Sequence, residues 1–268
     1  MKWVIDETGR FRWRPYYDQE ELDIECERII AGFLKQKYGE ILFPVSTDDL
    51  TVMIEQDTSE LDLYADISGE GEDIEGLTDF FPHKKPVVKI SKELSLEDGK
   101  YHRLRTTLAH EYGHVKFHTF LWVYNQTGKS PPGFAEKLAI QRRKYNNFRM
   151  KYLHKYKIET GFRCKRSRIL DAPYSDWMEW QASYACGAFL MPYSVIRKLS
   201  LEEISKRNAA SWVSGDSEQA AELVNIVSDT FDVSTDAARV RLNKLGFLQN
   251  TSRGNDKSPD TNLSSLLL

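Results

Sequence analysis

Apolar residues recur at helical spacing over residues 17–38, YDQEELDIECERIIAGFLKQKY. Leu22, Cys26, Ile29, Ile30, Phe33 and Leu34 share one face of the 3.6-residue period, and Gly39 is a fitting stop. STDDLTVMIEQ, from Ser46, offers Ser or Asp caps before a short helix. The period then changes. LDLYADIS, from Leu61, alternates as a strand does, and PVVKIS, from Pro86, reads as a second strand. SGEGEDIEG between them is a turn-rich acidic connection. Residues 101–123 return to the helical period. Residues 137–157 are expected to be helical too, with intermittent apolar positions at Leu138, Tyr145, Phe148, Tyr152 and Tyr156. DAPYSDW is a turn after which Ser175 or Asp176 can cap a helix that runs to about Met191 and stops at Pro192. Residues 217–247 read as two helices joined at FDVST, with Ser234 capping the second. The tail from Gln249 is polar and reads as disordered.

The 268 residues are 41% hydrophobic and 29% charged, an ordinary soluble composition with ample core. No apolar run approaches the roughly 18–20 residues of a membrane span, and the N-terminus lacks the apolar stretch of a secretory signal. Cys26, Cys164 and Cys186 form no CxxC pair and are odd in number, which suits a reducing cytoplasm better than a disulfide framework. Net charge is only −3, yet the charges are segregated. From Tyr38 to His83 there are thirteen acids and no Lys or Arg, whereas Lys137 to Arg168 holds twelve Lys or Arg and one acid, Glu159. Two solvated faces account for this, and so does a basic surface for nucleic acid or an acidic protein.

The chemistry concentrates in TLAHEYGHVKFH. His110-Glu111-Tyr112-Gly113-His114 fits HExxH. Residues i and i+4 lie on one helical face, so two imidazoles can converge on one Zn²⁺ while Glu111 reaches a coordinated water without being a ligand. A third histidine, His118, cannot join both. Over eight residues a helix rises about 12 Å, and Zn–N bonds are only about 2.0–2.1 Å. VKFH also contains no glycine at which the helix could break. His118 is therefore a residue behind the ligands, a cleft residue or helix surface. A third protein ligand is still needed, with His154, Asp171, Asp176 and Glu179 as candidates. Glu179 is favoured because Trp177 and Trp180 flank it and Ala182, Ala185, Cys186 and Phe189 follow, and a carboxylate buried in such company is costly unless paired or metal-bound.

Two blocks resemble the ImmA/IrrE-type metallo-endopeptidases, a gluzincin-like family. RLRTTLAHEYGHVKFH is similar to the family's R-x-T-x-A-H-E-x-G-H-x-x-x-H, and EWQASYACGAFLMP to its E-x-[EQ]-A-x-x-F-A-x-x-L-L-M-P. GLTDFFPHKKPVVKIS also looks like the family's strand pair running up to the active-site helix. The likeness covers roughly residues 20–195. Ala185, Cys186 and Phe189 depart from the second block as packing changes. The distance from His114 to Glu179 is longer than is common in the family, because the basic segment intervenes. The resemblance implies one Zn²⁺ per chain, held by His110, His114 and Glu179, with Glu111 as catalytic base. It also implies a cytoplasmic hydrolase that cuts a DNA-binding repressor or antitoxin-like regulator. His118, Tyr112 and Tyr184 are candidates for supporting the ligands or stabilising the oxyanion.

The expected fold is α+β and zincin-like, mostly helical with a small twisted sheet packed on the HExxH helix. Residues 1–195 would form the zinc metallopeptidase domain, with a basic helical insertion over about 125–168. Residues 196–248 would form a helix-turn-helix-like C-terminal region and 249–268 a disordered tail. An extended substrate would add to an edge strand, with PVVKIS as the candidate. The competing reading is a DNA- or protein-binding regulator whose zinc site is structural or silent. It rests on Arg239, Arg241 and Lys244 on the last helix. Against it, Leu223, Ile226, Val227, Val240, Leu242 and Leu245 suit a packed hairpin, and five acids face three bases from Glu218 to Lys244.

Overall fold

The computed structural model describes residues 1–11, 13–71, 73–127, 161–165, 169–170, 172–206 and 211–249, and its fold is mixed α+β. The expected helix over 137–157, the candidates His154 and Asp171, and the tail beyond Gln249 lie outside the described residues. An N-terminal hairpin, β1 (Lys2–Ile5) against β2 (Trp13–Tyr16), comes first. Helix α1 (Gln19–Tyr38) starts at Asp18, whose side chain accepts from the Glu21 N–H while Glu21 reaches back to the Asp18 N–H. Leu22, Cys26, Ile30 and Leu34 are its buried face, with Ile29 and Phe33 packed at the margin. Ser46 caps α2 (Thr47–Asp57).

The main sheet follows: β3 (Glu60–Ala65), β4 (Ile74–Asp79) and β5 (Val87–Ser91). A short α3 (Lys92–Leu96) leads to the long α4 (Tyr101–Thr127), and β6 (Gly161–Lys165) completes the sheet. The strand order is β3-β5-β4-β6. β5 is parallel to β3 and antiparallel to β4, and β4 is antiparallel to β6. PVVKIS is thus an interior strand with both edges paired, and no substrate can add to it. Part of the acidic connection, Ile74 to Gly76, is strand rather than turn. The sheet lies on α4, and α4 packs along α5 (Trp177–Leu190).

The C-terminal part comprises α6 (Tyr193–Ser205), β7 (Val213–Ser214), α7 (Glu218–Phe231), α8 (Thr235–Lys244) and β8 (Leu248–Gln249). Residue 195, the expected end of the catalytic domain, falls inside α6, and one core cluster runs from Leu22 to Leu248. Two buried arginines tie this part to the rest. Arg105 of α4 donates to the carbonyls of Phe231 (3.2 Å) and Asp232 (2.9 Å) at the end of α7. Arg241 of α8 pairs with Asp23 of α1 and donates to the Met191 carbonyl at 3.2 Å. Tyr184 of α5 gives its hydroxyl to the same Asp23 at 2.7 Å. The other two cations of α8 are also engaged, Arg239 with the Gly215 carbonyl (2.9 Å) and Lys244 with the Leu170 carbonyl (2.7 Å). Among the described residues no helix is long and apolar enough to cross a membrane.

Arg241→Met is expected to lower the free energy of unfolding in urea by about 3–5 kcal/mol, because it leaves Asp23 buried without a counter-charge. A loss under about 1 kcal/mol would mean that the pair is not a buried ionic tie.

Candidate metal centre

Two helices build the centre, and small residues decide how close they come. Gly113 sits between His110 and His114 on α4, facing α5. A Cβ there would lie 3.1 Å from the Ala182 Cα and carbonyl oxygen and 3.3 Å from the Ala185 Cβ. Any side chain at 113 would force the helices apart. Lower on the same interface the Cys186 thiol meets the Thr106 carbonyl at 3.2 Å. With the axes this near, Glu179 in the first turn of α5 reaches both histidines. Its Oε2 lies 3.4 Å from His110 Nε2 and its Oε1 3.4 Å from His114 Nε2.

His110 and His114 are fully buried and Glu179 is 3% exposed. The two Nε2 atoms are 3.2 Å apart, and one ligand atom from each of the three residues lies within 4.8 Å of the others. Such a cluster of lone pairs in a low-dielectric interior repels itself unless a positive charge stands among them. Glu179 Oε2 has no hydrogen-bond partner. Among the described residues this is the one His/Cys/Asp/Glu group with the geometry to hold a metal ion. Asp176, another candidate ligand, stands at the start of α5 beside Arg10.

His118 settles the orientation of His114. It is fully buried, so it is not helix surface. Its Nδ1 lies 3.0 Å from His114 Nδ1, and its Nε2 lies 3.0 Å from Gln181 Oε1. Gln181 donates its amide to the Pro15 carbonyl at 3.0 Å, which turns its oxygen toward His118. His118 Nε2 must then carry a proton. Burial holds the His118 pKa well below the ordinary histidine value, so the ring is neutral and its Nδ1 accepts. His114 Nδ1 is left as the donor, and its Nε2 presents a lone pair to the cluster. A relay of this kind fixes a ligating imidazole in the right tautomer. Trp177, edge-on to His118 at 5.6 Å, is itself held by an indole hydrogen bond to Asp6 at 3.1 Å. The N-terminal hairpin thus braces the relay twice.

Glu111 turns toward the sheet. Thr78 of β4 donates its hydroxyl to Glu111 Oε2, and a Cβ on Gly76 would stand 2.5 Å from Glu111 Oε1, so a larger residue there would displace the Glu111 carboxylate. Glu111 Oε1 has no hydrogen-bond partner. Burial raises the Glu111 pKa above the ordinary carboxylate value, against the pull of His114, His110 and the Thr78 hydroxyl. For Glu179 the balance reverses. Burial again works upward, but His114 and His110 hold that carboxyl far below the usual range. Two carboxylates in one small volume are therefore driven apart in acidity, Glu179 downward and Glu111 upward.

Tyr112 and Tyr184 do not belong to the centre. Tyr112 gives its hydroxyl to Asp57 at 3.1 Å, and Tyr184 gives its own to Asp23, so both hydroxyls are engaged away from the cluster. Gln181 lies behind His118 rather than among the ligand atoms. Thr78, Gly76, Pro15 and Asp6 were not singled out by spacing. A Thr two residues beyond a Gly on an alternating strand is the only local signal any of them carries.

Replacing His118 with Ala is expected to weaken Zn²⁺ binding about 10–100-fold, measured by competition with a fluorescent chelator. An unchanged affinity would show that the relay does not orient His114. Gly113→Ala is expected to cost about 1–3 kcal/mol of stability and to weaken Zn²⁺ binding as α5 is pushed off α4. Thermal unfolding with and without the ion checks both effects. No protein-family model and no curated protein matches this chain.

Proposed function

We propose that the chain is a zinc-dependent endopeptidase that cleaves a protein partner. Glu111 carries the reading. A metal group serving only structure has no use for a buried carboxylate beside it with one oxygen unpartnered and its pKa raised. A general base does. Two imidazoles and one carboxylate form a three-ligand set typical of catalytic zinc, whereas structural sites close with a fourth protein ligand. A bound Zn²⁺ would supply Lewis acidity, polarising the scissile carbonyl and making water more acidic.

The residues divide the remaining work. His110, His114 and Glu179 would hold the ion. Thr78 keeps Glu111 Oε2 engaged, so Oε1 takes the proton from the attacking water and returns it to the leaving amine. The walls around the cluster exclude other water, which strengthens these interactions. The two blocks that resemble ImmA/IrrE-type peptidases support the same chemistry. They also point to a DNA-binding repressor or antitoxin-like regulator as the substrate. Direct DNA binding by α8 has less to support it, because Arg239, Arg241 and Lys244 are spent on contacts within the chain.

Glu111→Gln is expected to keep zinc at one ion per chain and to lower partner cleavage by about 10²–10⁴-fold. Metal analysis beside a cleavage assay checks this. Wild-type protein that takes up no zinc, or cleavage undiminished in the variant, would sink the proposal.

A further inference from the structure

β4 touches the proposed base directly through Gly76 and Thr78. One edge of β4 is paired with β5, and the other is taken by residues 161–165 of the same chain. The register is antiparallel, with Gly76 opposite Cys164 and Thr78 opposite Phe162, so the two positions that contact Glu111 are both covered on this edge. β6 also lies against α4, the helix that carries His110 and His114. Meanwhile His110, Glu111 and His114 have no exposed surface and Glu179 has 3%. These four side chains thus offer a polypeptide almost no exposed surface.

Hydrolysis of a peptide bond needs an extended backbone laid beside the base and the metal group. An extended chain docks best where a strand offers unpaired N–H and C=O groups. Next to Glu111 that strand is β4, and its outer edge is filled. We infer that β6 stands in for the substrate: an extended segment of the partner adds antiparallel to β4 in place of residues 161–165, and the chain as folded occludes its own site. The inference rests on the peptidase reading and deepens it, since it makes the substrate a segment able to lie as a strand and makes displacement of β6 the step that admits it. β6 is suited to leaving. Among the described residues it is a terminal strand of the sheet, paired along one side, and edge pairing is the part of a sheet most open to exchange with another chain.

The test uses the full-length, zinc-loaded protein, with dipicolinate as a small chelator and fluorescein-labelled casein as an unfolded polypeptide. The variant is Phe162→Pro/Arg163→Pro. Successive N–H groups of a strand point to opposite edges, so one of the two prolines removes a donor facing β4 in either phase of the ladder. A second variant, Phe162→Gly/Arg163→Ser/Cys164→Gly, lowers strand propensity without proline. Zinc extraction by dipicolinate is expected to speed up about tenfold in both variants, the scale of one or two lost strand hydrogen bonds. Casein hydrolysis should rise with it and vanish when Glu111→Gln is added. Extraction rates equal to wild type in both variants, with cooperative thermal unfolding retained, would overturn the inference while leaving the peptidase reading intact. Faster extraction with no zinc-dependent hydrolysis in any form would instead overturn the peptidase reading, and the substrate role of the β4 edge with it.

Discussion

The close approach of α4 to α5 is the constraint on which the rest depends. Helix axes normally stand about 8–10 Å apart, set by the side chains at the contact. Here Gly113 meets the Ala182 backbone, and Ala185 follows one turn on. A short carboxylate on one helix can then touch two imidazoles on the other. The same closeness buries His118 against Trp177 and puts Gln181 within reach of its ring. Small residues in the interface therefore act as positioning elements for the polar cluster, although none of them carries a polar side chain.

Concentrating three lone-pair donors and a second carboxylate in a dry interior is unfavourable by itself. Several features offset the cost without removing it. The His118–Gln181–Pro15 relay consumes the far nitrogen of His114 and leaves only Nε2 to face the cluster. Thr78 satisfies half of Glu111. His110 Nδ1 is left without a hydrogen bond, and so are Glu179 Oε2 and Glu111 Oε1, the oxygens that a cation and a water-derived proton would engage. Two of the oxygens left unsatisfied in this buried pocket are thus ones with chemical work to do, as expected when a site is preorganised.

Much of this was legible from spacing. The 100° step of a helix puts His110 and His114 on one face, and the rise separates His118 from a common ion. The Trp-flanked, alanine-rich segment marks Glu179 as buried. The same step explains why Tyr112 lies away from the cluster: two residues from either histidine, it stands about 200° around the helix and points into the apolar core toward Asp57 and Phe189. Tyr184, five residues past Glu179, is turned about 140° away and serves Asp23. Sheet order was beyond reach because strand adjacency is not sequence adjacency. β5 looks like an edge only while Ile74–Gly76 is read as acidic turn and residues 161–165 as part of a basic helical region. The N-terminal hairpin carries no motif, and its two contributions, a carbonyl at Pro15 and a carboxylate at Asp6, are made by groups whose chemistry is unremarkable in sequence.

The helix-turn-helix likeness of the C-terminal region has a physical resolution as well. A recognition helix needs its cations free to meet phosphates and bases. Arg241 is instead 2% exposed and ionically bound to Asp23 of α1, which also receives the Tyr184 hydroxyl from α5. Arg105, two turns before Glu111 on α4, reaches the other way into the end of α7. One tie thus runs from the C-terminal helices through Asp23 of α1 to Tyr184 of α5, the helix of Glu179, and the other to α4, the helix of His110 and His114. The C-terminal helices sit behind the metal centre as a brace on both of its supporting helices. Their positive charges are there because buried carbonyls and Asp23 require partners, and a basic count along the sequence cannot distinguish that demand from a surface for nucleic acid.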